Sequence, residues 1–164
     1  MKYFFFLLLT LLSFQVHAYT ERDIKCLTDN VYHEARNQKP IVQQAVVNLV
    51  FSRTEYSLYP SSVCKVIYQP YQFSWTLVMP KVKEHETYRV INKRVRGWVR
   101  LKQLGMLDDP TNGALYFTSH GKRVKGTKVK MKLGDLTFAD PIKHRGRFNT
   151  KDPLGDLIGK LQRG

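Results

Sequence analysis

The chain has 164 residues, 43% of them hydrophobic and 12% aromatic, and its 27 basic against 13 acidic residues give a formal net charge of +14. This composition suits one globular domain that closes a core without a structural metal, and it excludes a largely disordered chain. The excess of basic residues predicts attraction to polyanions, such as anionic polymers of a cell envelope, but it does not indicate which polyanion is bound.

The first residues have the pattern of a signal peptide. Lys2 precedes an almost wholly apolar run, residues 3–12, and Val16, His17 and Ala18 put small residues where signal peptidase cuts. A retained anchor is the alternative, but about a dozen apolar residues fall short of the roughly 20 that span a bilayer. We therefore predict a signal peptide at residues 1–18, export to the periplasm or the extracellular space, and no stable membrane anchor after cleavage.

Cys26 and Cys64 are the two cysteines of the chain, 38 positions apart. An even count in an exported protein predicts one disulfide bond, with two buried free thiols as the alternative. Because neither a CxxC motif nor a nearby pair of histidines accompanies them, we expect neither a metal site nor another cofactor.

The first part of the chain predicts two helices. Thr20 and Asp23 match a capping box, and apolar residues then recur at helical spacing, so a first helix should end near Asn37. Pro40 suits the first turn of a second helix, which runs to about Arg53. Residues 59–75 are rich in aromatics and interrupted by two prolines, which predicts a loop with a short buried segment around residues 63–67.

The second part predicts one more helix and a hairpin. Residues 81–105 read as a basic amphipathic helix, and "DDPTNGALYF" as a turn before an apolar element. The segment "TKVKMKLGDLTFAD" alternates strictly, which predicts a β-hairpin with a lysine face, Lys128, Lys130 and Lys132. We predict a domain over residues 19–140 and a loosely held basic tail over residues 141–164. The apolar residues of the third helix stand among lysines and arginines: Val82, Val90, Val95, Trp98 and Leu101.

Glu34 stands in "NVYHEARNQKP", residues 30–40, about 60° from the centre of the apolar stripe of the first helix. It should lie at the edge of the core, where partial burial raises the pKa of a carboxyl as a general acid requires. An ion pair with Arg36 or another basic residue is the alternative, and position alone leaves both open. His33 points away from the stripe and is expected to be solvated.

Four strings share an order and a spacing with one known family: "YHEAR", "AVVNLVFSR", "YPSSVCKVIYQPYQFSWT" and "DPTNGALYF". Together they resemble the SleB-type cell wall hydrolase family, which includes spore cortex-lytic enzymes, over approximately residues 24–138. The resemblance implies an α+β fold, mainly helical and lysozyme-like with a small β-hairpin, in an enzyme that cleaves the glycan strands of peptidoglycan.

The resemblance also implies the site. Glu34 matches the catalytic acid of the family. Ten further positions are expected to line the cleft, where aromatic faces stack on sugars and polar groups bond their edges: Tyr32, Arg36, Gln43, Gln72, Phe73, Ser74, Trp75, Tyr116, Phe117 and His120. Core positions are the alternative for Phe73 and Trp75. Relatives often carry histidines where this chain has Thr118 and Leu136, so no subsite preference is predicted.

Protonating a glycosidic oxygen takes one acid, whereas hydrolysis by two carboxylates needs a second one about 5 to 9.5 Å away. Apart from Asp23, three turns earlier, no second carboxylate shares the face of Glu34, and the candidates elsewhere are Glu55, Glu84, Glu86, Asp108 and Asp109. A site with a single acid favours a lytic transglycosylase acting between muramic acid and glucosamine. A hydrolytic muramidase or glucosaminidase is the alternative, and an exported basic protein that only binds anionic wall polymers is another. We expect a monomer whose partner is the glycan strand of peptidoglycan and not nucleic acid.

Overall fold

The computed structural model describes residues 19–119 and 125–142. The predicted signal peptide, His120 and all but the first two residues of the predicted tail lie outside these ranges. The described chain forms a helical unit followed by a small sheet. Its elements are α1 (Glu21–Ala35), α2 (Pro40–Glu55), α3 (Val63–Ile67), a 3-10 helix (Ser74–Leu77), α4 (His85–Gln103), β1 (Tyr116–Ser119), β2 (Thr127–Leu133) and β3 (Leu136–Pro141).

Helix α1 begins as the sequence predicts. The Thr20 hydroxyl accepts a hydrogen bond from the Asp23 backbone N–H (3.1 Å), and the Asp23 carboxylate accepts one from the Thr20 N–H (2.9 Å), which completes a capping box. The helix ends at Ala35, two residues before the predicted end at Asn37. Pro40 is the first residue of α2, where its missing N–H leaves no helical bond unmade.

Thr20→Ala should therefore lower the free energy of unfolding by about 1 kcal/mol, because two N–H groups at the start of α1 lose their side-chain acceptor or its orientation. Urea denaturation of the variant and of its parent would measure the difference. The exposed Ser61 provides the control, since Ser61→Ala should change stability by less than about 0.5 kcal/mol. Equal midpoints for all three proteins would contradict the capping role.

The core forms where α1 packs against α2, α3 and α4. Helix α2 is buried along most of its length, from Val42 to Arg53, so it is the central helix of the unit. Helix α4 turns Ile91, Val95 and Val99 inward.

The start of the predicted third helix is corrected. The helix starts at His85 and not at residue 81, so Val82 precedes it. Val90 and Leu101 lie on its exposed side. Residues spaced by four along α4 face α1, and Val90 and Leu101 are rotated away from that row. Val95 is buried, and Trp98 is partly buried against the core.

The predicted hairpin is confirmed as β2 and β3, joined through Gly134, whose positive φ of 55° suits glycine in the turn. The residues of β2 alternate between exposed lysines and half-buried Val129, Met131 and Leu133. The apolar element before the hairpin is a third strand, because β1 pairs antiparallel with β3 and the strand order is β1-β3-β2. The fold is the predicted mainly helical α+β class, with a three-stranded sheet in place of a lone hairpin.

Cys26 and Cys64 form a disulfide bond, as predicted, with their Cα atoms 5.5 Å apart. The bond ties α1 to α3, and α3 leads into the segment that carries the "QFSW" motif. In residues 19–119 and 125–142, no helix combines the length and the apolar character that crossing a membrane requires.

Candidate active site

Glu34 lies in the last turn of α1, half-buried at the edge of the core. Burial raises the pKa of its carboxyl from 4.5 to about 7, and no charged neighbour contributes to the shift. Within the described part of the chain, its carboxyl forms neither an ion pair nor a hydrogen bond. A carboxyl of this kind holds its proton close to neutral pH, and no bond to the described residues has to break before it gives that proton up.

The alternative ion pair between Glu34 and Arg36 is not formed. Arg36 instead reaches across to the residue before α4, where its Nε lies 3.1 Å from Oε1 of Glu84. Its guanidinium also stands 5.2 Å from the ring centroid of Tyr32. Arg36 thus joins the end of α1 to the start of α4 and leaves the Glu34 carboxyl uncompensated.

Other carboxylates of the described chain are engaged elsewhere. Asp29, on the same helix, binds the ammonium of Lys25 and accepts a hydrogen bond from Tyr88. Asp109 accepts hydrogen bonds from Thr111 within its own turn. Neither they nor Glu84 contribute to the raised pKa of Glu34, so among these four carboxyls of the described chain Glu34 is the one without a partner.

His33 is half-buried and not fully solvated, which corrects the expectation from the helical stripe. Its ring stacks on Trp75 with centroids 4.7 Å apart and planes 24° apart, and burial lowers the pKa of its imidazole. The indole N–H of Trp75 donates to Oδ1 of Asn30 at 3.0 Å. These contacts fasten the "QFSW" segment to the turn of α1 that precedes Glu34, so the two motifs meet in space.

Three of the expected cleft residues are buried and serve the fold. Gln43, 1% exposed, donates from Nε2 to the Ala35 carbonyl (3.1 Å) and accepts from Arg94 (2.9 Å). The hydroxyl of Tyr32 accepts the backbone N–H groups of residues 83 and 84. Phe73 belongs to the core, which confirms the alternative for that residue. The polar atoms of Gln43 and Tyr32 therefore satisfy the backbone at the end of α1 and before α4, and a role for these two residues in the cleft stays a prediction.

Trp75 is also largely buried, which agrees with the alternative that it is a core residue. The other expected residues that the structure describes are half-buried or exposed. Phe117 packs between Phe73 and Phe138, with centroid distances of 6.2 and 6.0 Å, and so joins β1 to the "QFSW" segment. The expected residues that remain open to solvent within the described chain are Arg36, Gln72, Ser74, Tyr116 and Phe117.

Arg53 supports the site, although it is not among the residues predicted from the sequence. It is buried near the end of α2, its Nε donates to the Leu115 carbonyl at 2.8 Å, and its guanidinium carbon stands over three rings. The distances to their centroids are 5.1 Å for Tyr59, 5.4 Å for Phe73 and 5.9 Å for Tyr116. Its signal was a cation inside an otherwise apolar helix, "AVVNLVFSR", where a buried charge needs partners.

Comparisons with known proteins show the family to which the chain belongs. A family model described as Cell Wall Hydrolase matches residues 37–139, which begin three positions after Glu34. A spore cortex-lytic enzyme of Oceanobacillus iheyensis is 27% identical over 106 residues, covering 60% of this chain and 33% of that protein. One from Bacillus cereus is 28% identical over 101 residues, covering 62% and 36%. The chain thus spans about a third of the length of these relatives.

Two solved structures resemble the fold. The catalytic domain of the Bacillus cereus SleB protein matches with a TM-score of 0.58 at 22% identity, covering 76% of this chain and 94% of that one. The catalytic domain of the germination-specific lytic transglycosylase SleB from Bacillus anthracis matches with the same score and identity, covering 76% and 98%. At this identity the likeness supports the fold alone, and it confirms the predicted architecture.

Proposed function

Since the chain belongs to the cell wall hydrolase family, we propose that it is an exported enzyme that cleaves the glycan strand of peptidoglycan, with Glu34 as its catalytic acid. The observation that carries the proposal is the Glu34 carboxyl itself, whose pKa burial raises to about 7 and which has no partner in the described chain. A buried, unpaired carboxyl is costly in a fold that has no use for it, and a general acid needs both properties.

We propose further that the enzyme is a lytic transglycosylase acting between muramic acid and glucosamine. Protonated Glu34 donates its proton to the glycosidic oxygen, the bond from that oxygen to C1 of muramic acid breaks, and the glucosamine end leaves as an alcohol. The Glu34 carboxylate then accepts the proton of the C6 hydroxyl of the same muramic acid as that oxygen bonds to C1. One carboxyl serves as acid and then as base, so the 1,6-anhydro product needs neither a water nor a second carboxylate.

The substrate contacts follow from what the fold leaves open. We propose that Arg36, Gln72, Ser74, Tyr116 and Phe117 bind sugar, since these expected positions are half-buried or exposed. His120 stays a candidate from the resemblance, outside the described residues. Residues 1–18 remain the proposed signal peptide, residues 19–140 the catalytic unit and residues 141–164 the tail, in a monomer of the periplasm or the extracellular space.

Digestion of purified peptidoglycan tests the proposed function. The exported protein should release disaccharide fragments whose peptide stems are intact, identified by mass spectrometry after separation. Release of free stem peptides from uncut glycan would assign the protein to another class of wall enzyme. Binding without release would favour the alternative of a basic wall-binding protein, which the net charge of +14 suggests.

The raised pKa of Glu34 predicts how the cleavage rate depends on pH. Because the acid must carry its proton, the rate should fall as pH rises through about 7, by about tenfold for each further pH unit. Initial rates of peptidoglycan solubilisation between pH 5 and 9, at constant ionic strength, would show this limb. A rate that stays constant to pH 9 would exclude Glu34 as the acid.

A further inference from the structure

The last residue of the 3-10 helix and the two residues after it expose three consecutive apolar side chains, Leu77, Val78 and Met79, which we call the apolar tip. Leu77 is 63% exposed, Val78 78% and Met79 59%, and Tyr71 of the same connection is 86% exposed. Single exposed apolar residues are ordinary on protein surfaces, but adjacent ones indicate a contact with something apolar. The proposed cleavage of glycan does not use these side chains.

The backbone holds the apolar tip in place. The N–H groups of Val78 and Met79 both donate to the carbonyl of Trp75, at 3.2 and 2.8 Å, and Trp75 is itself anchored to α1 through Asn30. Met79 has a positive φ of 49°, a conformation that bulky residues seldom adopt. The tip is thus a built projection of the fold and not a frayed end.

The residues that follow the tip carry uncompensated positive charge. Lys81 and Lys83 are exposed and form no ion pair among the described residues. The acidic residues next along the chain are already neutralised, since Glu84 pairs with Arg36 and Glu86 with Arg89. The apolar tip and these lysines, which have no ion-pair partner among the described residues, complement a surface that carries negative charge on its outside and an apolar layer beneath it.

We propose that the apolar tip and the two lysines dock the protein on the surface of an anionic phospholipid bilayer. Leu77, Val78 and Met79 would enter the boundary between headgroups and acyl chains, while Lys81 and Lys83 would remain at the phosphates. A sugar is a poorer occupant, because these three side chains offer no aromatic face and no hydrogen-bonding group. Such docking is peripheral and reversible, and it is independent of the proposed cleavage chemistry.

A fluorescent probe tests the docking directly. The two native cysteines are joined, so Val78→Cys provides a single thiol for the polarity-sensitive dye NBD in the soluble exported protein. Vesicles of phosphatidylglycerol and phosphatidylethanolamine should raise the NBD emission several-fold and shift it to the blue, and vesicles of phosphatidylcholine should not. Leu104→Cys is the matched control, because Leu104 is 61% exposed. It lies at the far end of α4, about 28 Å from the start of that helix, so a label there should not respond.

Two variants separate the apolar contribution from the charged one. Leu77→Ser/Val78→Ser/Met79→Ser should weaken binding to the anionic vesicles at least tenfold in sedimentation, and Lys81→Glu/Lys83→Glu should do the same. Thermal melting would verify that both variants are folded. The proposal is overturned if the parent does not bind the vesicles, if the serine variant binds as the parent does, or if the labels at positions 78 and 104 respond alike. Loss of peptidoglycan binding by the serine variant without vesicle binding by the parent would assign the tip to the glycan instead.

Discussion

Glu34→Gln is expected to lower the rate of peptidoglycan cleavage by roughly 10²–10⁴-fold, the usual contribution of a general acid. The amide has nearly the shape of the carboxyl but cannot give a proton to the leaving oxygen. The rate of release of soluble fragments would measure the loss. Glu86→Gln is the control, since Glu86 is an exposed carboxylate that pairs with Arg89 and should be dispensable for cleavage.

The same variant should be more stable than its parent above pH 7. Folding raises the pKa of Glu34 from 4.5 to about 7, so the folded state holds this proton more tightly than the unfolded state does. The contribution of this group to stability is therefore full below about pH 4.5 and is lost as pH rises through about 7, a difference of up to about 3 kcal/mol. Urea unfolding of both proteins at pH 4.5 and pH 8 should show a gain for the variant at pH 8 that disappears at pH 4.5.

Cleavage and wall binding, both measured on Glu34→Gln, together distinguish the enzyme from a wall-binding protein. Binding driven by charge should survive Glu34→Gln and weaken as salt is added, while cleavage should collapse. A variant that cleaves at the rate of the parent would return Glu34 to a structural role. A variant that fails to fold at any pH would show that the carboxyl supports the end of α1 through a contact other than those described.

Loss of the disulfide is expected to have the second largest effect. Cys26→Ala/Cys64→Ala should lower the free energy of unfolding by about 4 kcal/mol, because the bond closes a loop of 38 residues and restricts the unfolded chain. Urea denaturation with and without dithiothreitol would measure it, and the double variant should not respond to the reductant. A free-thiol assay on the denatured, non-reduced protein should find no titratable cysteine, and finding two would contradict the bond.

The elements that the sequence predicts well are those with local causes. The capping box at Thr20, the start of α2 at Pro40 and the alternation of β2 each depend on neighbours within a few residues. The register of α4 depends on which side of it faces α1, a tertiary contact that several apolar residues on adjacent faces leave ambiguous. The sequence therefore does not show that Val90 and Leu101 lie on the exposed side of α4.

In the candidate site, too, features with local causes are predictable from the sequence and features that depend on distant contacts are not. The partial burial of Glu34 follows from its angle on α1, so its raised pKa is predictable from the sequence. The stacking of His33 on Trp75 and the bonds from Gln43 to the end of α1 join segments far apart in the chain, and spacing along the chain does not reveal them. Polar residues expected to face substrate were in part those that satisfy buried backbone groups.

The mass of the cleavage product tests the single-carboxyl mechanism most directly. Peptidoglycan digested with the parent protein should yield muropeptides one water lighter than hydrolysed ones, the mass of 1,6-anhydromuramic acid, and digestion in ¹⁸O-labelled water should add no label to them. Muropeptides with reducing ends that carry one ¹⁸O would instead show that water attacks the sugar. That result would contradict the proposal that Glu34 acts alone as acid and then as base.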